Sequence, residues 1–302
     1  KKAENLRKKV NYLAKQEGSK RTLEVDLFNA KIFKLQRNYD GFLNCVFPYK
    51  EKKISSYSAR KQVELLQNLG YLYIIIGDHD SAKNYLQKSL TLATSKKYSS
   101  EICRSNCYLA FNEMEHNNKE KALEYANVAI EAAKITREKV DFAFAYLYQS
   151  FIYNYFGQPE IAISKELTAY TYAQGAQNYS LMSLISIQIG DKQVDIENFK
   201  EAFYYYESAL RHAVTYEDYR LQGVALTSQA NALRLQNKID EGLKTNHKAY
   251  EVLKNAGTSN ELGLAELHYA QISIDKTAYS QALVHLNRSL KQYTENDDEA
   301  RI

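Results

Sequence analysis

SLISIQIGDKQVDIENFKEAFYYYESALRH, residues 183–212, decides the fold. Apolar residues recur at helical spacing on both sides of Glu197-Asn198, a pair suited to a tight turn, so the stretch reads as two helices in a hairpin. Gly190 lies on the first helix, with Ala202 and Ala209 on the second. Small residues at these points let the helices cross closely.

The same small residues recur forty positions up and down the chain. With Gly190 set as position 8 of a repeat, that position holds Ala30, Gly70, Ala110, Ser150, Gly190, Ala230 and Ala270. Position 20, early in each second helix, holds Phe42, Ala82, Ala122, Ala162, Ala202, Gly242 and Ala282. Position 27 holds Tyr49, Ser89, Ala129, Ala169, Ala209, Ala249 and Ser289. A generic amphipathic helix has no reason to hold a size limit at three positions through six forty-residue steps. The chain is an internal repeat of paired helices, A and then B.

These residues resemble the tetratricopeptide repeat family, which is similar in having small residues at positions 8, 20 and 27 and large ones at 4, 7, 11 and 24. The agreement is good at Leu66, Leu69, Gly70, Tyr73, Ala82 and Leu86, and again at Ile189, Gly190, Phe199, Ala202, Tyr206 and Ala209. The turn sequences IGDHDSA, FGQPEIA, IENFKEA and KTAYSQA also look like the family's. Two departures stand out: the period is forty instead of about thirty-four, and no repeat ends in the family's proline. Forty resembles a longer-helix type found in bacterial signalling proteins. The resemblance implies an all-α, right-handed α-solenoid of antiparallel helix pairs.

Bulk properties agree with an all-helical chain. The 302 residues are 45% hydrophobic, with two prolines and eleven glycines, and in a solenoid length adds repeats, not domains. The expected organisation is a single solenoid over 1–302. A half repeat at 1–17 precedes repeats near 23–62, 63–102, 103–142, 143–182, 183–222, 223–262 and 263–302. Phe42, Tyr49 and Pro48 make the first full repeat irregular, and Pro48 should break its B helix. Pro159 falls at the start of a B helix, where a missing N–H has no cost. The acidic run of Glu295, Asp297, Asp298 and Glu299 reads as a solvated end. Because the sequence starts at Lys1 and not at methionine, it is expected to be part of something larger.

Charge and chemistry narrow the function. Net charge is +4, although residues 1–61 carry 16 Lys and Arg against 6 Asp and Glu. That basic stretch lacks a nucleic-acid reading motif, so a solvated face is expected and no nucleic-acid partner. Cys45, Cys103 and Cys107 are an odd set, and Cys103 and Cys107 sit four apart on one helix, a poor disulfide geometry. This favours a reducing, cytoplasmic compartment, with a periplasmic sensor portion as the alternative. No apolar run is long enough to insert in a membrane. The six histidines are scattered, and neither metal spacing nor a phosphate loop occurs, so no catalytic residue, cofactor or metal is expected. Asp191 and Asp195 stand one turn apart on an A helix and read as solvated charges, not an acid–base pair.

In the family that the repeats resemble, A-helix positions 2, 5, 9 and 12 line a concave groove. Transferred by position, the groove holds Gln67, Tyr71 and Ile74; Arg104, Phe111 and Met114; Phe144, Leu147, Phe151 and Asn154; then Asp191, Asn231 and Arg234. Such a surface would suit a peptide or protein segment. One class of the family clamps a chaperone carboxylate with a lysine at 5 and an asparagine at 9. No repeat here has that pair: Asn231 comes with Thr227, and Lys31 with Leu27. The resemblance implies a non-enzymatic peptide- or protein-binding module, the sensor or regulatory part of a bacterial signalling protein working by population shift. Alternatives are a free-standing scaffold, including a homodimer, and a regulator that binds a small signalling peptide.

Overall fold

The computed structural model describes residues 23–35, 39–50, 54–256 and 259–298, and among them every regular element is helical. Two short helices, α1 (Leu23–Leu35) and α2 (Tyr39–Val46), come first. Six hairpins follow: α3 (Ala59–Ile75) with α4 (His79–Ser95), α5 (Ser99–Glu115) with α6 (Lys119–Thr136), and α7 (Lys139–Tyr155) with α8 (Pro159–Gly175). Then come α9 (Tyr179–Asp195) with α10 (Phe199–Thr215), α11 (Tyr219–Leu235) with α12 (Ile239–Ala256), and α13 (Ser259–Asp275) with α14 (Tyr279–Asp298). The A helices start at 59, 99, 139, 179, 219 and 259, so the forty-residue period of the sequence is the period of the helices. The half repeat at 1–17 lies outside the described residues, as do the side chains of the acidic run at 295–299.

The helices form two compact units, one with Leu23–Lys31 and the described residues of Gly41–Asn178, the other chiefly from Tyr179 onward. Packing inside each follows one rule. An A helix touches its own B helix, the B helix before it and the neighbouring A helices: α5 meets α3, α4, α6 and α7, and α11 meets α9, α10, α12 and α13. This is the tetratricopeptide-type arrangement that the repeated small residues imply.

Position 8 and position 24 meet across the first four hairpins. A Cβ on Gly190 would lie 2.6 Å from the Tyr206 ring, and one on Gly70 would lie 2.4 Å from Leu86. Where position 24 is small, position 8 can grow: Ala110 and Ala126 share one core cluster. Ser150 faces the larger Glu166 and donates from its Oγ to the carboxylate at 3.4 Å.

Tight turns close the hairpins in the same way each time. The second residue after the A helix takes a left-handed conformation: Gly77 (φ 77°), Asn117 (58°), Gly157 (71°), Glu197 (61°), Asn237 (63°) and Thr277 (57°). The next amide bonds back across six residues, from Asp78 N to Tyr73 O at 3.0 Å and from Asn198 N to Gln193 O at 2.8 Å, which satisfies a helix-end carbonyl. Asp78 then caps the next helix by accepting from Ser81 N at 3.0 Å. Thr277 is β-branched, and left-handed backbone strains such a residue. Thr277→Gly is therefore expected to raise stability by about 0.5–1 kcal/mol, read as an increased midpoint in urea.

The prolines behave as their chemistry requires. Helix α2 stops at Val46, and Pro48 enters a 3-10 turn over Phe47–Tyr49. Pro159 opens α8 at its first turn. The bulky Phe42 and Tyr49 are buried, and the Tyr49 hydroxyl donates to Asp26 at 2.6 Å. Cys45, Cys103 and Cys107 are buried free thiols.

Candidate functional site

The A helices carry the side chains of interest, and their register differs from the expected one at position 5. Gln67, Cys107, Leu147, Ile187 and Thr227 are all buried. The Gln67 amide donates to the Glu101 carbonyl at 2.9 Å and to Ser105 Oγ at 3.0 Å, both on the neighbouring A helix. Position 12 is divided: Ile74 and Met114 are buried, Asn154 is exposed, and Arg234 is partly covered. Gln67, Ile74, Met114 and Leu147 therefore sit in the interior as packing groups. The physical cause is the length of the A helices, seventeen residues each, which lie against their neighbours and use position 5 to do so.

Positions 2, 6, 9 and 13 share another face of each A helix by their 4-3-4 spacing, and there Tyr71, Phe111, Tyr148 and Phe151 are half-buried while Asn68 and Tyr108 are buried. In the first unit this face is aromatic at position 9 of all three A helices and at position 6 of α5 and α7. Tyr71, Tyr108, Phe111, Tyr148 and Phe151 form a linked chain of rings over α3, α5 and α7, with centroids 5.4 Å apart for Tyr71 and Tyr108 and 6.0 Å for Tyr108 and Tyr148. Phe111 lies 6.0 Å from Tyr148, and Phe151 lies 5.5 Å from it. Arg104 and Phe144 are exposed at position 2 of the same stripe. Burial, followed by the neighbouring Tyr108 and Tyr71, pushes the Tyr148 hydroxyl well above its ordinary range, so it stays protonated.

In the second unit positions 6 and 9 are polar. Gln188 and Asp191 on α9 are followed by Ser228 and Asn231 on α11 and by His268 and Gln271 on α13. Asp191 accepts from the Tyr206 hydroxyl at 2.8 Å. Desolvation raises its carboxyl above the usual range, opposed by the bonds from Tyr206 and Ser228. Asn231 Oδ1 accepts from Arg234 Nε at 3.2 Å, and Arg234 reaches Asp275 at 3.1 Å, so the guanidinium is held in place. The Gln188 side-chain oxygen is buried and has no hydrogen-bond partner among the described residues. A buried acceptor of this kind favours a donor that arrives from outside.

Tyr148, Gln188, Ser228 and His268, half-buried at position 6, were missed because that position was not assigned to the surface. The signal was present in the sequence at positions 6 and 9, which change from Tyr148 and Phe151 in the third hairpin to Gln188 and Asp191 in the fourth. Among the described residues no group of three or more His, Cys, Asp or Glu could hold a metal ion, and no helix is long and apolar enough to cross a membrane.

Fold and surface together define a helical-repeat scaffold of tetratricopeptide type. Solved structures of similar fold include a Rap protein complexed with competence and sporulation factor, with a TM-score of 0.67 at 16% identity, covering 92% of this chain and 76% of that one. Aspartyl phosphate phosphatase F from Bacillus subtilis has a TM-score of 0.63 at 12% identity, covering 90% and 70%. The apo form of the quorum sensor NprR from B. thuringiensis has a TM-score of 0.54 at 13% identity, covering 96% and 92%. No family model matches the sequence, and no curated protein matches it.

Proposed function

We propose that this chain is a non-enzymatic peptide-binding module, the sensing or regulatory part of a signalling protein. The observation that carries this reading is the stripe on the A helices. Within the first unit the aromatic side chains on α3, α5 and α7 suit apolar side chains of a ligand, and within the second, taken by itself, the amide and carboxylate groups on α9, α11 and α13 suit a peptide backbone. Of the groove residues expected from sequence, Tyr71, Arg104, Phe111, Phe144, Phe151 and Asn154 remain candidates in the first unit, and Asp191, Asn231 and Arg234 in the second. The similar fold of a structure containing a signalling factor and of a named quorum sensor supports the same class of ligand. The buried free thiols support a reducing compartment.

Asp191 assigns a charge to the ligand: a peptide with a basic residue. The ionised carboxylate attracts that residue, and its pKa is raised, so affinity falls as pH drops through the raised value and is full above it. The test is selection from a random short-peptide library, followed by calorimetry on the enriched sequences. Enriched peptides should be basic, and Asp191→Asn should weaken them about tenfold while Phe111→Ala weakens them about thirtyfold. Failure to enrich any peptide, or enriched peptides indifferent to both substitutions, would sink the reading.

A further inference from the structure

Away from the A-helix face that carries the proposed ligand site, the first unit brings two histidines together at its turns. His79 is the first residue of α4, and His116 follows α5 in the next hairpin. Their ring centroids are 5.6 Å apart, with the planes at 75°. The repeat itself makes these two positions meet, since one hairpin further on they hold Lys119 and Phe156, with the ammonium 5.7 Å from the ring centre. An ammonium over a phenyl ring makes the contact too, so packing alone does not call for two imidazoles.

The first of the rings is prepared as a metal ligand. Asn112 Nδ2 donates to the His79 carbonyl at 3.2 Å, which leaves Asn112 Oδ1 to accept from the His79 Nδ1 at 3.2 Å. Together the two bonds put the proton on Nδ1 and the lone pair on Nε2, which is how metal-binding histidines have their tautomer and ring plane fixed from behind. Asn112 is buried, so this support is anchored in the interior. His116 is exposed, and its ring turns between rotamers at little cost. A metal ion about 2.1 Å from each nitrogen lies about 3.2 Å from each ring centre, which at a tetrahedral angle puts the centres about 5.3 Å apart. The observed separation of 5.6 Å is close to that value. Among the described residues no third His, Cys, Asp or Glu completes the set, so water fills the remaining positions of such a shell.

We propose that His79 and His116 form a two-imidazole site for a divalent ion of the copper and zinc class, tying the α3–α4 hairpin to the α5–α6 hairpin. The site is independent of peptide binding and is read out separately. Imidazole suits copper, nickel and zinc, and copper(II) binds most tightly of these, so Cu2+ is the probe. Titrated into the full chain without an affinity tag, Cu2+ should give an electron paramagnetic resonance spectrum with two imidazole nitrogens. His79→Ala and His116→Ala should each weaken binding about tenfold or more, and Asn112→Ala, which removes the orienting bond, about tenfold. His247→Ala, at another exposed imidazole, should leave it unchanged. Zn2+ should raise the urea midpoint of the wild type and not that of His116→Ala. Should His79→Ala or Asn112→Ala lose helicity, the exposed His116 carries the test alone. A spectrum with fewer than two imidazole nitrogens, copper affinity indifferent to His116→Ala, or an equal loss in His247→Ala would overturn the proposal.

Discussion

Gly190→Ala is expected to destabilise the protein by about 2 kcal/mol, and Tyr206→Ala by about 3–5 kcal/mol, yet the two together by clearly less than their sum. A new methyl at position 190 would stand 2.6 Å from a Tyr206 ring that is 1% exposed and packed among Val194, Ala202 and Ala232. The ring cannot withdraw into solvent, so the α9–α10 crossing must open, at about 3 kcal/mol of overpacking, offset by the roughly 1 kcal/mol that alanine gains over glycine in a helix. Removing the ring instead leaves a cavity of tyrosine size. Combined, the two substitutions recreate the Ala110 and Ala126 pair that the α5–α6 hairpin already uses. Urea denaturation of the four-member cycle should give a favourable coupling of about 1–2 kcal/mol. Additive penalties would show that positions 8 and 24 are not fitted to each other.

Acid should destabilise the native state through His268 in a window that a single substitution can remove. Burial lowers its pKa to about 4, with the Arg234 guanidinium adding to the effect and Gln271 opposing it. An unfolded histidine titrates near 6.5. Between these values the unfolded chain binds a proton that the native chain does not, so stability is full above about pH 6.5 and is lost as pH falls toward about 4. The loss is on the order of 2–3 kcal/mol for this group. The raised Asp191 carboxyl works in the opposite direction, since there the native state holds the extra proton. The difference between wild type and His268→Gln isolates the histidine: their urea midpoints should converge as pH is lowered from 7 to about 4. A constant gap between the two curves would show that His268 is not held neutral by the fold.

Much of the architecture was legible in the residues alone. Recurrence of small residues at positions 8, 20 and 27 specifies where helices must approach closely, and close approach at fixed intervals leaves few arrangements other than stacked hairpins. Turn and proline positions were legible for the same reason, because they act through local backbone geometry. The surface was less so. Positions 5 and 6 are adjacent in sequence and differ by one helical step, and which of them faces a neighbouring helix depends on how the long A helices lean on one another. Gln67 looks like a groove amide as a letter in a sequence; its bonds to Glu101 and Ser105 make it part of the interior. Tyr148 looks like packing, and packs, but within a chain of rings that ends at a partly open face.

The sequence by itself determined the repeat, the helix pairing within it and the turns, because each depends on contacts between residues less than one repeat apart. Only the tertiary structure decided that position 5 of the A helices is interior and that the rings from Tyr71 to Phe151 link into one chain. Those properties depend on contacts between successive repeats, and their geometry is set by the summed fit of many side chains, which no single position records.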